Sequence, residues 1–175
     1  MSRIVIQDST TKGNSYLTIR RLSRLYCGYS GNTAPLGLTQ STWARFAYPS
    51  TTYATYRNVE WEISPKESRF TYTGATPKWF KIEATCNIYK VTGASPNRNV
   101  EYQWRLNGTP IGSARGSYMN GDDSQIVSGV GEILLTTGQY IEPWIRNVEN
   151  SDDCRLDNCT FIICEQPEFV FAMDA

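Results

Sequence analysis

The residues able to do chemistry are few, and the commonest of them is missing. The chain of 175 residues contains no histidine, which removes the usual general base and the usual metal ligand. Nucleophile triads that need an imidazole are excluded with it. A carboxylate pair remains. Glu60 and Glu62 lie on one face of the strand predicted over VEWEI, about 7 Å apart by the strand rise. That separation falls within the range of glycosidase acid–base pairs. The same two residues are also the solvated side of a strand whose other side carries Val59, Trp61 and Ile63. The plainer reading is preferred.

Five cysteines (Cys27, Cys86, Cys154, Cys159 and Cys164) form an odd set, which fits free thiols better than a disulfide framework. Cys154, Cys159 and Cys164 recur every five residues, which invites a zinc reading. Structural zinc sites favour closer cysteine pairs and need a fourth ligand, and none is evident. Small buried hydrophobes are the expected role. Asp122-Asp123 and Asp152-Asp153 are acidic loop pairs. Calcium takes about six to eight oxygens, so solvated turns are the default for both. Asn158-Cys159-Thr160 matches a glycosylation sequon, which has meaning only on a secretory route. No cofactor is implied.

Composition bounds the rest. Hydrophobic residues make up 40% and aromatics 13% of the chain, enough for a real core in one domain. Lys plus Arg and Asp plus Glu each number 17, and this balance argues against a nucleic-acid binder. No run approaches the roughly twenty apolar residues of a membrane span. MSRIVIQDSTTKG has neither a long apolar segment nor a small-residue cleavage site, so the expectation is synthesis in a reducing cytosol without membrane insertion.

The elements that position these residues read as β-strands. From Lys78 to Glu165 the chain alternates apolar and polar residues between glycine turns, the signature of half-buried strands. Phe80, Ile82, Ala84, Cys86 and Ile88 share one face, as do Val100, Tyr102, Trp104 and Leu106. Asn107-Gly108 predicts a hairpin. Gly116 to Ser124 reads as a long polar loop, Glu168 to Met173 as a last strand. No segment has a helical period. About eight strands at spacings of roughly ten residues predict an all-β antiparallel sandwich or jelly roll.

Residues 1–58 are less regular. Arg3 to Gln7 and Tyr16 to Leu22 offer two short strands among turn-rich stretches such as YSGNTAPLG. The chain is therefore divided into an N-terminal arm or set of outer strands, 1–58, an anchoring segment, and a jelly-roll domain, 59–175. Trp43, Phe46 and Tyr48 in the arm, and Tyr102 and Trp104 in the domain, are the candidate interface residues. Large rings dominate interface energetics, and one core should not consume so many.

Two stretches carry a family resemblance. Leu106-Asn107-Gly108-Thr109-Pro110-Ile111 and Ile133-Leu134-Leu135-Thr136-Thr137-Gly138-Gln139-Tyr140-Ile141 resemble the Asn-Gly turn and the strand–turn–strand of tumour necrosis factor-like domains and complement-type globular heads. The resemblance spans about Phe70 to Glu165 and implies a trimeric jelly roll. Its nearest look is to versions in virion proteins of phages and other double-stranded DNA viruses. Gln139 stands where an Asp is usual, and Pro143 falls inside the next strand, implying an edge or a bulge.

The expectation is a non-enzymatic virion structural protein, a capsid decoration, cement or spike-knob subunit, made in the host cytoplasm. Its partners would be itself as a homotrimer, the major capsid protein or other virion proteins, and a host surface glycan. The alternative is a receptor- or carbohydrate-binding head of a phage tail fibre.

Overall fold

The alternation in KWFKIEATCNIYK becomes the longest strand among the described residues, hydrogen-bonded to a neighbour on each side. A computed structural model describes residues 22–30, 36–46, 52–90, 97–120, 125–149 and 154–166. Among them are eleven strands: β1 (Arg24–Ser30), β2 (Ala44–Arg45), β3 (Thr52–Arg57), β4 (Trp61–Ser64), β5 (Arg69–Tyr72), β6 (Lys78–Lys90), β7 (Asn97–Leu106), β8 (Thr109–Asn120), β9 (Gln125–Leu135), β10 (Tyr140–Asn147) and β11 (Cys154–Glu165). A single 3-10 turn, Pro65–Glu67, separates β4 from β5.

The strands form two antiparallel sheets packed face to face. One runs β3-β1-β11-β6-β9, the other β4-β5-β10-β7-β8, with β2 added beside β10. The expected antiparallel sandwich is thus observed. Its eight strands from Trp61 onward match the expected number, but not all the expected members. Thr109–Asn120 is a strand paired with β7 through Asn97↔Asn120, where a polar loop was expected over 116–124. Glu168 to Met173 and Arg3 to Gln7 lie outside the described residues.

The described part of residues 1–58 supplies strands to both sheets, the outer-strand alternative of the sequence reading. β1 is an interior strand, bonded to β11 on one side and to β3 on the other. It places Leu25, Cys27 and Tyr29 in the core. Leu38 and Phe46 are also buried there. A strand with both edges paired and one face apolar is structural, and nothing separates it from the sandwich.

Turn chemistry matches the backbone. Asn107 (φ 48°) and Gly108 (φ 81°) both adopt positive φ, as a two-residue hairpin requires, with Leu106 facing Thr109. The Gln139 side-chain oxygen accepts the Thr136 N–H at 2.9 Å, so the turn is kept and the amide stands in for the Asp usual in the resembled domains. Pro143 is neither at an edge nor in a bulge. It faces Trp104 of β7, and its carbonyl accepts from Phe46 N on the opposite side. On that side β10 changes neighbour, from β5 at Ile141 to β2 at Trp144. The missing N–H therefore falls at a break where no ladder bond is lost.

Phe161 sits at the centre of the interior. Its ring meets Tyr29 at 5.9 Å, Phe46 at 6.1 Å, Phe70 at 5.5 Å and Trp104 at 5.7 Å between centroids, at steep angles. Edge-to-face contacts of this kind add to the burial of the rings themselves. At one end of the sandwich the Lys78 ammonium reaches Glu60 at 2.6 Å and Glu165 at 3.4 Å. Glu165 also accepts Ser23 N–H, and the Ser23 hydroxyl accepts the Trp61 indole N–H. This network fastens the starts of β1 and β6 to the end of β11.

Two outcomes test this account. A chain beginning near Asn58 should aggregate or fail to fold, because it loses β1 and β3 and bares the edge of β11; a soluble, folded product would contradict it. Phe161→Ala should lower unfolding stability by about 3–5 kcal/mol in a denaturant titration, far beyond the effect of an outward residue.

Candidate functional site

Three of the five candidate interface residues are interior. Phe46 is 0%, Tyr102 2% and Trp104 4% exposed, and each packs edge-on to another ring of the core. Their assignment to an interface is corrected: the space between two sheets consumes more aromatic volume than one strand's pattern reveals. Tyr48 lies outside the described residues. Trp43 alone reaches the surface, half-buried, between Arg105 and Arg146.

The acidic pair does not form a site. Glu60 lies in the turn before β4, bonded to Lys78, while Glu62 is exposed on β4 opposite Thr71. Val59, expected inward, is 95% exposed because the strand begins two residues later. Asp122-Asp123 and Asp152-Asp153 lie outside the described residues.

The cysteines are dispersed. Cys154 and Cys159, five apart, would point to opposite faces of a regular strand. A bulge between Leu156 and Cys159 turns both inward. Cys164 lies on the outer face between Arg24 and Lys81. Cys159 faces Cys86 across the ladder, with Tyr29 on its other side. Burial raises the thiol of Cys86 well above the usual range, and the neighbouring Cys159 adds to this. Burial likewise pushes Cys27 up to about 11, against a hydrogen bond from Tyr29. Among the described residues no cluster of three or more Cys, Asp or Glu could hold a metal ion.

Two outward faces remain. On the five-stranded sheet, one row crosses every strand: Tyr56, Tyr26, Ile162, Glu83 and Val130. Trp79 and Leu134 stand opposite each other beyond it. Tyr56, Trp79, Val130 and Leu134 are 61%, 48%, 59% and 42% exposed. These are four of the five exposed large hydrophobics among the described residues. Tyr26 lies flat over Gly28, where a Cβ would come within 2.5 Å of its hydroxyl. β9 closes this sheet as an edge of 11 residues.

The six-stranded sheet carries charge and rings instead. Glu142, 2% exposed, is the hub. It receives Arg69 at 3.3 Å, Arg45 at 3.5 Å and the Trp144 indole N–H at 3.1 Å. Glu67 bridges Arg45 and Arg69 from outside. Arg146 pairs with Glu101 at 2.6 Å, and Arg69 also lies over Tyr140. Sequence alternation places these residues outward, but nothing in it shows that they converge on one buried carboxylate.

Comparison with known proteins adds little. No protein-family model matches the chain, and no curated protein is similar to it. The globular domain of zebrafish complement 1qA protein is similar in structure at 15% identity and TM-score 0.47, over 79% of this chain and 94% of that one. Eiger TNF from S. frugiperda is similar at 7% identity and TM-score 0.46, over 87% and 99%. At these values the sandwich rests on its own strand pairing.

The buried thiols give a pH dependence with a definite sign. A thiol whose pKa is raised by folding ionises first in the unfolded chain, so stability falls as pH climbs past the ordinary thiol range. Unfolding free energy should hold to about pH 8 and decline above about pH 9, with Cys27→Ala reducing the slope. Native protein should react slowly with a thiol reagent and yield all five thiols when unfolded. A flat alkaline limb would contradict the assignment.

Proposed function

We propose that this protein is a non-enzymatic building or binding subunit that self-associates, as a homotrimer, through the outer face of its five-stranded sheet. One observation carries the reading. Tyr56, Trp79, Val130 and Leu134, all more than two-fifths exposed, are gathered on that single face, with half-buried Tyr26 and Ile162 between them. Exposed large hydrophobics scattered singly need no explanation, but a shared face bordered by a long edge strand calls for a cover. The central Lys81–Glu83 pair, 2.6 Å apart, supplies a polar feature that would set register rather than affinity. The number three comes from the sequence resemblance, not from this face.

The finer reading places the subunit in a virion, as a capsid decoration, cement or spike-knob protein. Its support is the likeness of residues 106–111 and 133–141 to virion jelly rolls, a fold-level analogy. A non-enzymatic role is supported by the scattering of Glu60, Glu62 and the cysteines, and by the lack of histidine.

Sedimentation at micromolar concentration should give a trimer, and Trp79→Glu with Val130→Arg should give folded monomers. A wild-type monomer, or a double variant that still assembles, sinks the association reading. Purified protein should also bind empty capsids at a fixed ratio and raise their heat resistance; its failure to do so would remove the virion assignment while leaving self-association standing.

A further inference from the structure

The outer face of the six-stranded sheet holds one arginine that its own surroundings leave uncompensated. Four guanidiniums (Arg45, Arg69, Arg105 and Arg146) meet three carboxylates (Glu67, Glu101 and Glu142) there. Arg45, Arg69 and Arg146 each pair with a carboxylate within 4 Å, whereas Arg105 has none among the described residues. Its cross-strand neighbour is Glu142, but the oxygens of Glu142 are already engaged by Arg69, Arg45 and Trp144. Arg105 instead lies over the Trp144 ring at 4.2 Å and near the Trp43 ring at 5.4 Å. Partial desolvation lowers its pKa, and Glu142 only offsets this.

A second observation points to a missing group. Arg105 Nε is buried with no hydrogen-bond partner, and so is Gln103 Oε1, two residues away on the same face. Gln103 is only 9% exposed. The ladder to β8 is irregular here. Tyr102 faces Arg115 and Trp104 faces Ile111, so Gln103 has no partner in β8. Bulges of this kind re-aim side chains beside functional sites. A buried donor and a buried acceptor left unmade each cost free energy that a suitable ligand would recover.

We propose that Trp43, Gln103, Arg105, Trp144 and Arg146 form a binding site for a sugar bearing a carboxylate, of the uronic or sialic acid kind. The planar guanidinium of Arg105 matches a carboxylate two bonds at a time. The rings of Trp43 and Trp144 flank the Arg105 guanidinium and give the site apolar walls against which a sugar ring can rest. Gln103 Oε1 needs a donor, which a sugar hydroxyl supplies and a bare inorganic anion does not. Arg146, paired with Glu101, lies over Trp43 at 4.8 Å and holds that ring beside Arg105. Trp43 is the one member outside any strand. The site lies on the sheet opposite the proposed association face, and its occupancy does not depend on oligomeric state.

The test is titration calorimetry on the full chain in whatever assembly it forms, followed in parallel by tryptophan fluorescence. The probes are sialyllactose against lactose, and a galacturonic acid trimer against the neutral galactose trimer. At least one acidic probe should bind about tenfold or more tightly than its neutral parent, the worth of one charge-assisted hydrogen-bond pair. R105Q and W43A should each lose about tenfold or more. R105K, which keeps the charge but neither the planar fork nor its stacking on the indoles, should lose most of the affinity while leaving the fold intact. Failure of both acidic probes to bind, equal binding of the neutral parents, or full affinity in R105K would overturn the proposal.

Discussion

Everything in this fold depends on burying Phe161 from both sides at once. It projects from the middle strand of the five-stranded sheet and is surrounded by Tyr29 of its own sheet, by Phe70 and Trp104 of the other, and by Phe46 of the connecting segment. A ring of this size cannot be covered by one sheet, so the two must close over it, and Phe46 must cross to seal the gap. The placement of β1 and β2 follows from the same need. β1 delivers Tyr29 to the cluster, and β2 delivers Phe46, whose N–H bonds Pro143. With the core sealed, the Lys78–Glu165–Ser23–Trp61 network needs only to fasten one end.

The closure divides the remaining aromatic and charged residues between two outward faces of different character. On the five-stranded sheet the strands turn out tyrosine, tryptophan and aliphatic side chains with one exposed ion pair, a composition suited to covering by another protein surface. On the six-stranded sheet they turn out arginines interleaved with indoles and one buried carboxylate, suited to polar recognition. The proposed assembly face and the proposed ligand site lie on opposite sheets, so neither role would obstruct the other.

Much of the fold was legible in the sequence where local and tertiary preferences agree. The Phe80 to Ile88 alternation, the Asn107-Gly108 turn and the Gly138 turn all say the same thing at both levels. β1 was hidden because Gly28 and Ser30 belong to turn composition; pairing on both sides and the Tyr26 ring lying over Gly28 override that local preference. β8 was hidden because GSARGSYMN has no apolar phase, and its partner strand rather than its own residues extends it. Two of the candidate interface residues, Tyr102 and Trp104, are interior for a different reason. Tyr102 and Trp104 share the apolar phase of Val100, so they belong inside, and a surplus of rings was mistaken for rings at the surface. The better signal lay in residues apolar at the opposite phase of core strands, Trp79 beside Phe80 and Leu134 between Ile133 and Leu135. The bulge that turns Cys154 and Cys159 to the same side has no sequence signature at all.

The central claim, that the outer face of the five-stranded sheet is covered by other copies of the chain, is tested most directly by hydroxyl-radical footprinting across a dilution series. The account predicts that Tyr56, Trp79, Val130 and Leu134 become protected together as the protein assembles, while Val59 and Trp144 are oxidised equally at every concentration. Assembly that leaves those four residues fully reactive, or that protects Trp144 in their place, would contradict it.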